Sequence, residues 1–234
     1  MTISLIHFNP QTGLSASITA TGGVSVGGYV NHSWRAIGGC ATQGLFTNPW
    51  YAEKSKALLQ QGLNAEDVIA CLKKGDVGYQ RRQCMVMDKQ GRSAFIHGNE
   101  NIPYTGSVDY PHVAVAGNML PNEAVLTSFI NTFINEISVN AEAVLQSGAV
   151  PEYKDNYEAS LPEILINALD ACLNSGGDKR GTFSASLRVE SATKAPIDIR
   201  VDWSDDSLID DIRKVLSQVR SASFQSFLNE LPNG

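Results

Sequence analysis

The chain has 234 residues, 43% hydrophobic and 18% charged, with 18 Lys plus Arg against 24 Asp plus Glu for a net charge of -6. That length buries a sizeable core, and the balance is that of a globular chain, not a disordered one. A mildly acidic chain without basic runs is poorly suited to nucleic acid. Without a basic amphipathic helix or an apolar run of about 18 residues it is also poorly suited to a membrane.

The first residues, Met1-Thr2-Ile3-Ser4-Leu5-Ile6-His7-Phe8, alternate as a strand does. They lack the basic and long apolar regions of a signal peptide, so the cytoplasm is the expected location. Asn9-Pro10-Gln11-Thr12-Gly13 predicts a turn. Leu14 to Thr21 alternates small apolar and hydroxyl side chains, which predicts a strand with one wetter face. Gly22-Gly23 breaks it, and Val24 to Val30 and Arg35 to Ala41 read as two more strands. Asn48-Pro49 and Asn64 each start a helix, and Gly62 and Gly75 end them, which makes an αα-hairpin.

A hairpin over Gln83 to His97 follows, then a strand from His112 to Ala116 ending at Gly117-Asn118. Pro121 opens a long helix with an apolar stripe at Val125, Phe129, Phe133 and Ile137. The segment from Val150 to Ala159 reads as a long loop, and Ser160-Leu161-Pro162-Glu163 as a capping box for the next helix. Strands at about Phe183 to Val189 and Ile197 to Val201 and a helix from about Asp205 to Val219 close the chain. Bunched antiparallel strands between helix pairs predict an α+β fold, a four-layer αββα sandwich of two antiparallel sheets between helix layers. One domain over residues 1–234 is expected, with a split near Gly148 as the alternative.

Four places carry possible chemistry. Thr2 follows Met1, and a small residue there permits removal of the initiator methionine. The hydroxyl and a free α-amine then share one residue, and an amine titrating near pH 8 serves as a general base. Gly117-Asn118 at a strand end offers an N–H and a side-chain amide to an oxyanion; a turn closed by the Asn is the ordinary alternative. Gly176-Gly177-Asp178-Lys179-Arg180-Gly181 lets backbone approach a ligand while Asp178, Lys179 and Arg180 orient a carboxylate or tune an amine; a solvated connection is the ordinary reading. Thr42 and Gln43 follow a strand and would line a cleft or cap a helix.

Other chemistries lack a pattern. Cys40, Cys71, Cys84 and Cys172 contain no C-x-x-C and read as free, mostly buried thiols. His7, His32, His97 and His112 lack ligand spacing, so no metal site and no cofactor is expected. There is no G-x-S-x-G, and the acidic residues near Asp205 suit a helix N-terminus better than a glycosidase pair. Three tryptophans are too sparse for a nucleic-acid stacking platform.

At these residues the chain resembles the bacterial and archaeal family known as domain of unknown function 1028, placed in the N-terminal-nucleophile (Ntn) hydrolase superfamily. The resemblance runs from about Met1 to Val219. It is carried by Met1-Thr2, Asn9-Pro10, Thr12-Gly13, Ala41-Thr42-Gln43, Asn48-Pro49, Arg82-Gln83, Gly117-Asn118-Met119-Leu120, the Gly176–Gly181 block, Ser184-Ala185 and Arg200-Val201-Asp202. It implies the αββα sandwich and a nucleophile at Thr2. Many members carry Ser-Lys where this chain has Thr21-Gly22, and Asp-Asp-His where it has Asp202-Trp203-Ser204. The first departure removes a basic residue near the nucleophile unless Lys179 or Arg180 substitutes. The expected function is therefore an amidohydrolase of a small amide acting through Thr2 and Asn118, with Thr42, Gln43, Gly117, Asp178, Lys179 and Arg180 binding substrate. The alternative is a non-catalytic binder of a small molecule on the same fold. A homodimer is the default assembly.

Overall fold

The computed structural model describes residues 1–177 and 181–231. In chain order the strands are β1 (Thr2–Phe8), β2 (Ser15–Thr21), β3 (Asn31–Trp34), β4 (Gly38–Gly44), β5 (Arg82–Asp88), β6 (Ser93–His97), β7 (Gly106–Tyr110), β8 (Val113–Asn118), β9 (Ser184–Glu190) and β10 (Ile197–Val201). The helices are α1 (Trp50–Gln60), α2 (Ala65–Lys74), α3 (Ala124–Ile137), α4 (Ala141–Ser147), α5 (Leu161–Asn174), α6 (Leu208–Val219) and α7 (Ala222–Asn229). Six strands form one antiparallel sheet in the order β10-β9-β2-β1-β8-β7, and four form a second in the order β3-β4-β5-β6. The sheets stack face to face. Helices α3 and α5 cover the larger sheet, while α1 and α2 cover the smaller one. This is the four-layer sandwich that the alternation predicts.

Strand period two explains the layers. In β1, Ile3 and Leu5 join Phe129, Phe133 and Leu165 in the core beneath the helices, while Ile6 and Phe8 point between the sheets toward Met85 and Met87. In β2, Ala16, Ile18 and Ala20 belong to the helix-side core. Their neighbours Ser15, Ser17 and Thr19 are buried as well, so the expected wetter face is enclosed by the second sheet. Chain beyond Gly148 completes the same sheet that β1 begins, because β9 pairs with β2.

Local signals hold in several places. Asn48 Oδ1 accepts the Trp50 N–H at 3.1 Å, and Asn64 Oδ1 accepts that of Asp67 at 2.9 Å. Three expectations need correction. Val24 to Val30 is no strand: Ser25 has φ 55°, residues 26–28 form a 3-10 turn, and the Val26 N–H goes to Ser184 Oγ. The turn packs against β9, where a Cβ on Gly27 would come within 2.6 Å of Ser186. The Ser160 side chain makes no cap, and Glu163 pairs with Arg220 instead. The last long helix starts at Leu208, capped by Ser207, because Trp203 and Ser204 use Asp205 and Asp211 as acceptors.

Cys40, Cys84 and Cys172 are buried free thiols and Cys71 is exposed. Among the described residues, no helix is long and apolar enough to cross a membrane, and no group of His, Cys, Asp and Glu is placed to hold a metal ion.

Candidate functional site

Thr2 opens β1 in the middle of the larger sheet. Its register partners are Thr21 on β2 and Asn118 on β8. Cross-strand partners point to the same side of a sheet, so all three side chains face the smaller sheet. Thr2 Oγ1 lies 3.0 Å from Thr21 Oγ1. Thr21 spends its one hydroxyl proton on the Met1 carbonyl at 2.7 Å, so the Thr2 hydroxyl is the donor of the pair.

Beneath this trio lies a layer of buried amides. Gln43 on β4 and Gln83 on β5 are register partners, and both point across to the larger sheet. Gln43 Nε2 donates to Gln83 Oε1 at 2.7 Å and reaches the Thr2 carbonyl at 3.3 Å, while Gln43 Oε1 accepts from Ser4 Oγ at 2.6 Å. Gln83 Nε2 donates to the carbonyls of Gly117 at 2.8 Å and Gly106 at 3.0 Å. Asn118 Nδ2 donates to Gln83 Oε1 at 3.0 Å. An amide buried without partners costs about 1–3 kcal/mol, so this mutual satisfaction is what makes the layer tolerable.

Met1 is 2% exposed and packs into the helix-side core. Its carbonyl takes the Thr21 hydroxyl and the Gly22 N–H, and its amine lies 3.5 Å from Met119 Sδ. Met119, next to Asn118, has φ 56°. For a residue with a Cβ that left-handed conformation costs about 1–3 kcal/mol, and such strain clusters at functional sites.

The sequence candidates separate. Thr2, Gln43 and Asn118 meet. Gly117 lies within the sheet between Ile3 and Gly106, and a Cβ there would come within 2.8 Å of Leu120. Thr42 faces away from Thr2, donating to the Asn48 carbonyl at 3.0 Å to hold the turn into α1. Asp178, Lys179 and Arg180 lie outside the described residues; flanking them, Gly176 faces Pro121 and the Phe183 N–H donates to the Thr21 carbonyl. Sequence reasoning missed Gln83 and Thr21 as members of the site. For Thr21 the signal was a strand face of hydroxyl residues, Ser15, Ser17, Thr19 and Thr21, which reads as a solvent face until a second sheet covers it; for Gln83 it was one polar residue at the head of the apolar stripe of Met85 and Met87.

His7 and His97 are held by hydrogen bonds within the fold. His7 is fully enclosed, bonded to the His112 carbonyl at 2.9 Å and Tyr157 Oη at 3.1 Å. Burial lowers its pKa to about 3. His97 joins the glutamine layer through Gln83 and is held below its ordinary pKa by burial and by Lys73.

No functionally curated protein matches the chain. A protein of known structure does: SPO2555 from Silicibacter pomeroyi, described as a DUF1028 protein, is 25% identical and superposes with a TM-score of 0.83 over 99% of this chain and 92% of its own. The family model described as "Family of unknown function (DUF1028)" matches residues 2–210. On that match, spanning most of its length, the chain belongs to the DUF1028 family.

Proposed function

We propose that the chain is an Ntn-type amidohydrolase of small amides whose nucleophile is Thr2, made competent by removal of Met1. The observation that carries this reading is the alignment of Thr21, Thr2 and Asn118 across three adjacent strands, above the buried glutamines. Removing Met1 takes away the carbonyl that holds the Thr21 hydroxyl and leaves an amine on the residue bearing the hydroxyl. That amine takes the Thr2 Oγ1 proton as oxygen attacks the substrate carbonyl carbon. Asn118 Nδ2 gives one N–H to Gln83 and has a second for the developing oxyanion. The protonated amine returns its proton to the leaving nitrogen as the C–N bond breaks. Water then hydrolyses the Thr2 ester. Gln43 holds the Thr2 backbone in place, and Asp178, Lys179 and Arg180 anchor the polar end of the substrate.

One observation favours the second reading, a small-molecule binder. Among the described residues, no cationic side chain hydrogen-bonds to Thr2, Thr21 or Asn118.

The test is turnover of a library of small amides by the native chain and by Thr2→Ala and Thr2→Ser. The expected result is a loss of at least about 1,000-fold in Thr2→Ala, partial retention in Thr2→Ser, and an acyl adduct on the N-terminal peptide. Full activity in Thr2→Ala would overturn the nucleophile. No turnover of any amide by the native chain would favour the binder.

A further inference from the structure

The residue that the chemistry at Thr2 requires to leave is itself deeply packed. Met1 is 2% exposed, and its side chain belongs to the core on the helix-facing side of the larger sheet. A residue so enclosed is out of an aminopeptidase's reach in the folded chain, so its excision precedes folding. The processed chain then folds around the space that Met1 would fill.

That space has a definite lining. Thr2 pairs with Thr21 and Asn118, so Met1 falls opposite Gly22, whose N–H donates to the Met1 carbonyl at 3.3 Å. On the same side of the sheet, Ile3 comes next, with Ala20 on one flank and Gly117 on the other. Leu120 and Leu126 close over Gly117, where a Cβ would come within 2.8 Å of one and 3.2 Å of the other. Glycine and alanine at these positions leave room for one long side chain, and Met1 takes it. Met119, whose Sδ lies 3.5 Å from the Met1 amine, adds a soft, adaptable wall.

Excision removes backbone and side chain together. The space left is therefore continuous with the Thr2 nitrogen, to which Met1 was bonded. Its walls are apolar and lose their dispersion contacts until something refills them. A dry apolar space of this kind takes up small apolar molecules.

The shape of the missing residue names the occupant. Met1 is an acyl group on the Thr2 nitrogen, and an acyl-enzyme carries its acyl group on the Thr2 oxygen of the same residue. Beyond its carbonyl, methionine extends through Cα, Cβ, Cγ, Sδ and Cε, the reach of a hexanoyl chain.

We propose that the space vacated by Met1 is the acyl subsite, and that the substrate is the amide of an unbranched apolar acid of about hexanoyl length. The inference rests on the removal of Met1 in the reading above and names the substrate class for it. The polar end of the substrate is then the amine side of the amide.

The test separates binding from turnover. Alanine at position 2 is also small enough to permit loss of Met1, so the Thr2→Ala chain presents the same space without the hydroxyl; its intact mass checks this. Straight-chain primary amides from acetamide to decanamide are titrated into it by ligand-observed NMR. Affinity should rise about fourfold with each methylene up to hexanamide, the worth of burying one such group, and gain nothing further at octanamide. Ala20→Val in the same chain narrows the space and should move the optimum to a shorter amide; should that variant fail to fold, the chain-length series decides alone. Equal affinity across the series, an affinity still rising at decanamide, or an optimum unmoved by Ala20→Val would overturn the subsite, as would retention of Met1. The expected binding series without turnover of hexanamide by the native chain would sink the hydrolase and leave the subsite standing. Turnover by the native chain with no preference for chain length would do the reverse.

Discussion

The two faces of the larger sheet are built from the same strands and carry different chemistry. Toward the helices, β1, β2 and β9 present Ile3, Leu5, Ala16, Ile18, Ala20, Ala185, Leu187 and Val189, all in one apolar core. Toward the second sheet, the alternate positions present Ser4, Ser15, Ser17, Thr19, Ser184 and Ser186, also buried, while Ile6 and Phe8 farther along β1 pack with Met85 and Met87. The helix-facing side gains stability from every methyl it hides. The inter-sheet side must satisfy each polar group it hides, and near Thr2 it does so through two glutamines and an asparagine. One face holds the fold together; the other keeps oriented donors and acceptors in a dry place at a cost in stability, an arrangement suited to a site.

Three changes sharpen that contrast, from the largest effect down. Phe129→Ala empties part of the helix-side core and should cost about 3–5 kcal/mol in urea unfolding, with no change in the order of substrate preference. A cost below about 1 kcal/mol would mean that this face does not carry the stability.

Acid should come next. The folded His7 has its pKa lowered to about 3 from 6.5, so its neutral form is favoured by the fold. Its contribution is complete above pH 6.5 and is lost as pH falls toward 3. Between pH 7 and pH 4.5 the loss should be on the order of 3 kcal/mol, and His7→Gln should flatten that slope by about one proton. An unchanged slope in His7→Gln would place the acid sensitivity elsewhere, at His32, His97 or His112, which burial also shifts down.

The inter-sheet layer should respond least in stability and most in function. Gln83→Leu keeps the bulk but leaves Gln43 Nε2 and Asn118 Nδ2 without their shared acceptor, which should cost about 1–3 kcal/mol. Amide turnover should fall more than this loss of stability explains, since Asn118 loses its orientation. Turnover that tracks only the folded fraction would reduce Gln83 to a structural role.

The contrast also explains what could be read from the sequence. The helix-facing side is legible because its periods are clean: four stripe residues, Val125, Phe129, Phe133 and Ile137, predict α3, and the alternation of Ile3 and Leu5 predicts β1. Thr2 is legible as a candidate because it follows Met1, and Gln43 and Asn118 because each sits at or near a strand end. Their meeting is not, since it depends on β1 pairing with β8 and on β4 and β5 lying across them. Strand β7 escaped because its residues are half-exposed and lack alternation. Helix α7 escaped because it buries no residue fully.

The most direct test of the central claim is the intact mass and N-terminal sequence of the native, untagged chain. The account predicts a chain that begins at Thr2, having lost one methionine. A population that retains Met1 throughout would contradict it, because the Thr2 nitrogen would remain a peptide N–H with no base to offer.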